Sequence, residues 1–248
     1  MISVAIITFN EEDRLPLTLE SVKDLADEII IVDSGSTDGT LKIAENFGAK
    51  TFQNNWNGFS NQKNIALEKC TNDWVLSLDA DEVLTKELLS EIKEVIANSS
   101  TYSYSINRKT YYLGKLLNNM WQPDYQLRLV NKKNNPRWNG NLVHEGIEVD
   151  SEIKKLKNHL IHYSYRDLND HFTKMIKYAE LASQELVKKE KKPSTIKLLI
   201  NPIVKFKKQY FLKGGYKDGV PGLVASISSI IYTFMKYAYL FEKSREKN

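Results

Sequence analysis

Four short apolar runs alternate with stretches of helical periodicity in the first hundred residues, and this alternation leaves few folds open. The runs are SVAIITF (3–9), EIIIVD (28–33), KTFQ (50–53) and DWVLSLD (73–79). They read as strands, three of them apolar enough to be buried. After the first run, Leu15, Leu19, Val22 and Ala26 recur at helical spacing. STDGTLKIAENFG predicts a helix with Ser36 or Thr37 as N-cap and Gly48 as its stop. FSNQKNIALEKC predicts a helix capped by Ser60, and TKELLSEIKEVIAN one capped by Thr85. Strands and helices in this order call for an α/β fold with a parallel sheet covered on both faces. Ligands of such sheets bind at the carboxyl ends of the strands. Asn10, Asp33 and Asp79 fall at those ends.

From about residue 102 the pattern changes. YSYSINRKTYYLG alternates, as in a more antiparallel section, and YQLRLVN (125–131) is a further strand. Residues 166–192 predict an amphipathic helix with Leu168, Phe172, Met175, Ala179, Ala182 and Leu186 on one stripe. The 248 residues suit one large domain, or one with an appendage. A single cysteine, Cys70, excludes an internal disulfide framework and agrees with a reducing compartment. MISVAIITFNEE lacks a basic leader and a cleavage site, so it reads as a first strand rather than a signal peptide.

The formal net charge of +4 hides an asymmetry. Residues 188–217 hold ten lysines against one acid, Glu190, leaving 25 basic and 30 acidic residues elsewhere. Such a block meets nucleic acid or an anionic membrane, or is a solvated helix face. It contains no arginine, the favoured base-reading residue, which argues against nucleic acid. GLVASISSIIYTFMKYAYLF (222–241) has one charge, Lys236, in 20 residues. That length spans a bilayer, but its serines and tyrosines fit a helix lying at the interface or docked on a core.

VLSLDADEVL (75–84) puts three carboxylates, Asp79, Asp81 and Glu82, at the end of an apolar strand. Like charges this close raise one another's pKa, so a positive partner or full solvation is required. Asp-x-Asp offers hard oxygen ligands for Mg²⁺ or Mn²⁺. In IIIVDSGSTDGT (29–40) a strand ends in Asp33, which can accept from a base N–H or a ribose hydroxyl, and the next helix N-terminus favours anions. Neither the dinucleotide-binding glycine pattern nor a phosphate-binding loop ending in Gly-Lys-Ser/Thr is present. Trp121 and Trp138 could stack on a ligand or serve as core aromatics.

AIITFNEEDRLPLTLESV, DEIIIVDSGSTDGT, GFSNQKNIAL and WVLSLDADE, in this order and spacing, resemble the nucleotide-sugar domain of family-2 glycosyltransferases. Farther on, YQLRLVNKKNNPRWNGNLVHEGI, HLIHYSYRDL and GGYKDGVPGL resemble bacterial lipopolysaccharide core β-1,4-glucosyltransferases. The resemblance implies the GT-A fold, a Rossmann-like mixed α/β sheet, over residues 1–165. Residues 1–100 would form its nucleotide-sugar part and 101–165 its acceptor part, with a helical, membrane-associating extension over 166–248. It implies nucleotide-sugar contacts from Thr8, Asn10, Glu12, Asp33, Ser34, Gly35, Lys63, Asp79 and Ala80, with Asp33 on the uracil ring and Lys63 near the diphosphate. Asp81, with Asp79, matches the metal motif for Mg²⁺ or Mn²⁺, and His162 is a candidate further ligand. Glu145 is the expected base; His144 is a rival base or metal ligand. Gln126, Arg128 and Trp138 are expected to contact the acceptor sugar.

The implied reaction is inverting transfer of a hexose, glucose from UDP-glucose, to a heptose of a lipopolysaccharide core. The implied place is the cytoplasmic face of the bacterial inner membrane, with an anionic surface and no nucleic acid as partner. Alternatives are another surface glycan or a polyprenyl phosphate as acceptor, or a non-catalytic, membrane-bound sugar-binding protein.

Overall fold

A computed structural model describes residues 1–98, 101–140 and 146–245. In chain order the elements are β1 (Ile2–Thr8), α1 (Leu15–Val22), β2 (Glu28–Asp33), α2 (Thr40–Asn46), β3 (Lys50–Gln53), α3 (Phe59–Lys69), β4 (Trp74–Asp79), β5 (Glu82–Leu84), α4 (Lys86–Ala97), β6 (Ser103–Tyr112), β7 (Lys115–Leu116), β8 (Tyr125–Asn131), β9 (Arg137–Asn139), β10 (Gly146–Glu148), β11 (Ile153–His162), α5 (Leu168–Lys188), α6 (Thr195–Lys207) and α7 (Val220–Arg245). The chain forms two compact units, Met1–Lys109 with Asp124–Tyr163, and Thr110–Pro123 with Ser164–Asn248. The second unit thus joins Thr110–Pro123 to the chain from Ser164 onward.

The first unit is a mixed sheet in the order β3-β2-β1-β4-β8-β6-β11-β5. β3, β2, β1 and β4 run parallel, while β8 lies antiparallel to β4 and to β6, as does β11 to β5. The apolar runs are continuous because both faces are covered. Ile6, Ile31 and Leu76 join a core with Leu19 of α1 and Leu88 and Ile92 of α4. Their neighbours Ala5, Ile30 and Val75 join a second core with Ala66 and Leu67 of α3.

The strand limits 28–33, 50–53 and 125–131 agree with the sequence reading. Thr85 caps α4, its Oγ1 accepting from the Leu88 amide at 3.2 Å. Two other expected caps differ. Helix α2 begins at Thr40 behind Gly39, because the Ser36 hydroxyl donates to Asp33 instead. Helix α3 begins behind Gly58, and the Ser60 hydroxyl binds the Asn139 carbonyl. The strands β5, β7, β9, β10 and β11 lie outside those that the sequence predicts.

A half-buried carboxylate ties the lower edge of the parallel strands. Glu28 accepts from Ser3 Oγ, Thr71 N, Thr71 Oγ1 and Lys50 Nζ. Burial pushes this carboxyl up, but the four donors outweigh burial and bring it down from 4.5 to about 2. A depressed carboxyl stabilises the fold above its unfolded pKa and loses that effect as pH falls through the folded one. Glu28→Gln should therefore cost about 1–2 kcal/mol at neutral pH. In urea melts the gap from the natural protein should close between pH 4.5 and about 2; a constant gap would show that the charge is not the cause.

In the second unit, α7 packs against α5 and α6. The buried face of α5 is His171, Met175, Ala179 and Ser183, with Leu168 exposed, so the expected stripe is rotated. The reason is that His171 is used inside: its Nδ1 meets Tyr112 Oη at 2.5 Å within a ring cluster that also holds Trp121 and Tyr165. Asp218 accepts from the amides of Asn118, Asn119 and Met120 at 2.7–3.1 Å and pins that loop. Gly222 permits the tight entry to α7, since a Cβ there would lie 2.0 Å from the Gly215 carbonyl oxygen. Among the described residues Val220–Arg245 is the one helix long and apolar enough to cross a membrane. Its Ala225, Ser226, Ser229 and Thr233 are buried, which suits a helix packed on its neighbours.

Candidate active site

The parallel register sets Thr8 beside Asp33 and Ile7 beside Asp79, so two acids emerge at the carboxyl edge, one on each side of β1. Asp33 is fully buried. Its Oδ1 accepts from Thr8 Oγ1 at 2.9 Å and Ser36 Oγ at 2.5 Å, and its Oδ2 from the Gly35 and Ser36 amides at 2.8 and 2.7 Å. The carboxylate thus organises the loop after β2, where Gly35 takes φ +95°. A contact from Asp33 to a base requires one of these four donors to yield.

The loop after β1 is laced to the same turn. Asn10, itself at φ +54°, accepts at Oδ1 from the Thr37 amide and donates its own amide to Ser36 Oγ. Glu12 accepts from the Gly39 amide at 2.7 Å. Ser34 Oγ accepts from Gln62 Nε2 at 3.0 Å. The expected nucleotide-sugar residues Thr8, Asn10, Glu12, Asp33, Ser34 and Gly35 therefore form one hydrogen-bonded rim.

The three acids at the end of β4 are met by basic side chains from five other segments. Asp79 Oδ1 lies 2.8 Å from Lys63 Nζ of α3, and its Oδ2 lies 2.7 Å from Arg128 Nη2 of β8. Glu82, with no exposed surface, accepts from the same Arg128 Nη2 at 2.6 Å and from Arg108 Nη1 at 3.3 Å. Arg108 Nε also binds Asp124 at 2.8 Å. Asp81 faces His162 Nε2 with Oδ1 and Arg14 Nη1 with Oδ2, both at 3.4 Å. Burial pushes the Asp79 carboxyl up, yet Arg128 and Lys63 outweigh it and hold the group well below the usual range. For Asp81 burial again raises the pKa, and His162 and then Arg14 lower it to a net depression, against repulsion from Asp79. The repulsion in the acidic turn is relieved by the chain's own cations.

The turn itself is fixed in place. Thr18 Oγ1 of α1 donates to the Ala80 carbonyl at 2.8 Å, and the Tyr163 amide donates to the Asp81 carbonyl at 2.9 Å. Arg14 Nη1 returns to the Tyr163 carbonyl at 2.8 Å.

Two residues, Trp138 and Arg128, stand differently from the acceptor contacts expected of them. Trp138 is 4% exposed, with its ring under Lys63 Nζ at 4.4 Å, so it backs the lysine and offers no open face to a sugar. Arg128 is equally enclosed and belongs to the acid cluster rather than to an acceptor surface. Trp121 lies in the ring cluster of the second unit. Gln126 Nε2 binds Asp124 at 2.6 Å. His144 and Glu145 lie outside the described residues. Arg14 and Arg108 were missed, because isolated arginines carry no motif; only the demand for positive partners pointed to them.

Among the described residues no group of three or more His, Cys, Asp or Glu is placed to hold a metal ion. Asp81 Oδ1 and His162 Nε2, 3.4 Å apart, stand near the roughly 3 Å separation of adjacent ligands on one ion. A hard divalent cation that keeps waters and phosphate oxygens needs only such a small protein donor set.

The comparisons with known proteins agree with this arrangement. An uncharacterized glycosyltransferase of Rickettsia typhi is 35% identical over 98% of this chain and 87% of its own length. The lipopolysaccharide core biosynthesis glycosyltransferase LpsC of Rhizobium meliloti is 29% identical over 98% of this chain and 92% of its own. Among solved structures, residues 1–349 of S. aureus TarS in complex with UDP-GlcNAc cover 99% of this chain and 91% of that one, with a TM-score of 0.53 at 16% identity. The fold is thus GT-A, a mixed α/β sheet carrying its acids at one edge. Since the model of the family described as "Glycosyl transferase family 2" matches residues 3–146, which hold every acid of that edge, the chain belongs to that family and is a glycosyltransferase.

Proposed function

We propose that the enzyme moves a hexose, glucose from UDP-glucose, onto the core oligosaccharide of a lipopolysaccharide, with inversion at the anomeric carbon. The observation that carries this is the edge where Asp33, Asp79 and Asp81 stand together with Lys63, Arg128, Arg14 and His162. The end-to-end likeness to LpsC supports the acceptor class. The acceptor then stands at the cytoplasmic face of the bacterial inner membrane, with the protein bound there peripherally.

The rim from Thr8 to Gly39 would take the nucleotide, its side chains held in place by the amides of Asn10, Thr37 and Gly39. Asp81 and His162 would hold Mg²⁺ or Mn²⁺, whose charge stabilises the diphosphate as it leaves. Lys63 and Arg128 keep Asp79 ionised and fixed beside it. Glu145 would take the proton of the acceptor hydroxyl while that oxygen bonds to the anomeric carbon and the bond to the diphosphate breaks. His144 is the rival for that role. A positioned base supplies about 10²–10⁴-fold.

Calorimetric titration of UDP-glucose into the pure protein, with and without Mn²⁺ and beside UDP-galactose and GDP-mannose, tests this. Binding that needs the metal and prefers UDP-glucose is the expected result. Preference for another nucleotide sugar would discard glucose as the donor, and binding of none by folded protein would sink the catalytic reading.

A further inference from the structure

We propose that α6 and the turn after it dock in the plane of an anionic phospholipid bilayer, and that α7 is not the anchor. Helix α6 is turned the wrong way for a helix bathed in water. Its inner side carries Asn201, Pro202 and Lys205, with Asn201 Nδ2 on Tyr237 Oη at 2.8 Å. Its outer side carries Ile196, Leu199, Ile200, Ile203 and Val204, each at least 51% exposed. At 100° per residue these cover an arc of about 140°, a continuous apolar ridge. Phe211 at 58% and Leu212 at 83% exposure extend the apolar surface just beyond the helix. Single exposed apolar residues are ordinary, but a contiguous ridge marks an interaction surface.

The charges select the occupant. Lys207 lies within the arc, Lys197 and Lys208 border it, and Lys191, Lys192, Lys213 and Lys217 are exposed in the flanking turns. Among the described residues Lys188 alone of the ten block lysines has a carboxylate within 4.0 Å, Glu185 at 3.4 Å. Lys205, half-buried, has its pKa lowered by burial and then by Lys213, Lys208 and Lys236, which marks a positive field without local counter-ions. A second copy is a poor occupant, since an isologous contact sets one lysine block against the other. A bilayer supplies an apolar layer for the ridge and phosphates for the ammonium groups at the depth to which lysine stems reach. Helix α7 is instead held by α5 and α6, so truncating it would disturb the second unit rather than merely detach an anchor.

The docking rests on the proposed function only for its purpose, namely reaching a lipid-borne acceptor. The test is flotation of the full chain with vesicles of phosphatidylcholine and phosphatidylglycerol at about 3:1, beside vesicles of phosphatidylcholine alone. The natural protein should float with the anionic vesicles and be released by high salt. Ile200→Asp/Ile203→Asp and Lys207→Glu/Lys208→Glu should each weaken binding at least about ten-fold. Both pairs are exposed, so thermal melts and UDP-glucose titration of the same samples should match the natural protein. The docking is overturned if the natural protein ignores anionic vesicles, if the Asp pair binds them as well as the natural protein, or if the Asp pair splits a dimer. Loss of UDP-glucose binding with flotation intact would instead strike the catalytic reading alone.

Discussion

Arg128→Met should destabilise the protein by about 3–5 kcal/mol, the usual cost of removing one partner from a buried ion pair. One nitrogen, Arg128 Nη2, serves Glu82 at 2.6 Å and Asp79 at 2.7 Å. Its loss leaves Glu82, with no exposed surface, to Arg108 Nη1 at 3.3 Å and the Asp79 amide at 3.1 Å. The Asp79 carboxyl, held down chiefly by Arg128 against burial, would also rise toward the ordinary range. For a chain of this size the melting temperature should fall by roughly 6–20 °C. Glu82→Met added to Arg128→Met should recover part of the loss, because the orphaned charge goes with it. A single variant that melts within a degree or two of the natural protein would show that the arginine adds nothing to stability.

Asp81→Asn should lower transfer at least about 10²–10³-fold while leaving the fold intact. The change keeps the shape of the side chain and removes the charge opposite His162 Nε2 and Arg14 Nη1. The backbone contacts that hold the turn, from Thr18 to the Ala80 carbonyl and from the Tyr163 amide to the Asp81 carbonyl, do not use the carboxylate. Thermal melts should therefore change little. Mn²⁺ binding, followed by the relaxation of solvent water protons, should weaken in parallel with activity. Activity within about five-fold of the natural enzyme would remove Asp81 from the machinery. Lost activity with unchanged Mn²⁺ binding would assign the residue to a task other than holding the ion.

The positions of the acids were legible in the sequence because they depend on local facts. A strand's apolar run and its end are read from adjacent residues, and a parallel register then brings Thr8, Asp33 and the Asp79 strand to one edge. The requirement for positive partners was legible too, since three carboxylates in four positions cannot stand alone. Which basic side chains answer was not. Lys63 comes from α3, Arg14 precedes α1, Arg108 and Arg128 come from β6 and β8, and His162 closes β11. No spacing along the chain foretells pairs separated by 16 to 81 residues.

The same limit applies to caps and helix faces. Ser36 had the right residue type for a cap, but the buried Asp33 carboxylate claimed its hydroxyl. Trp138 had the right ring for a sugar, and burial beneath Lys63 made it a support. Periodicity shows that a helix has an apolar arc, whereas packing decides which way that arc turns. Alone, then, the sequence determined the βα alternation, the acidic edge and the basic block, because each is written in neighbouring residues. Only the tertiary structure decided which cations neutralise the acids, and that α7 packs against its neighbours while α6 leaves its apolar side open to solvent, because those outcomes rest on contacts between distant segments.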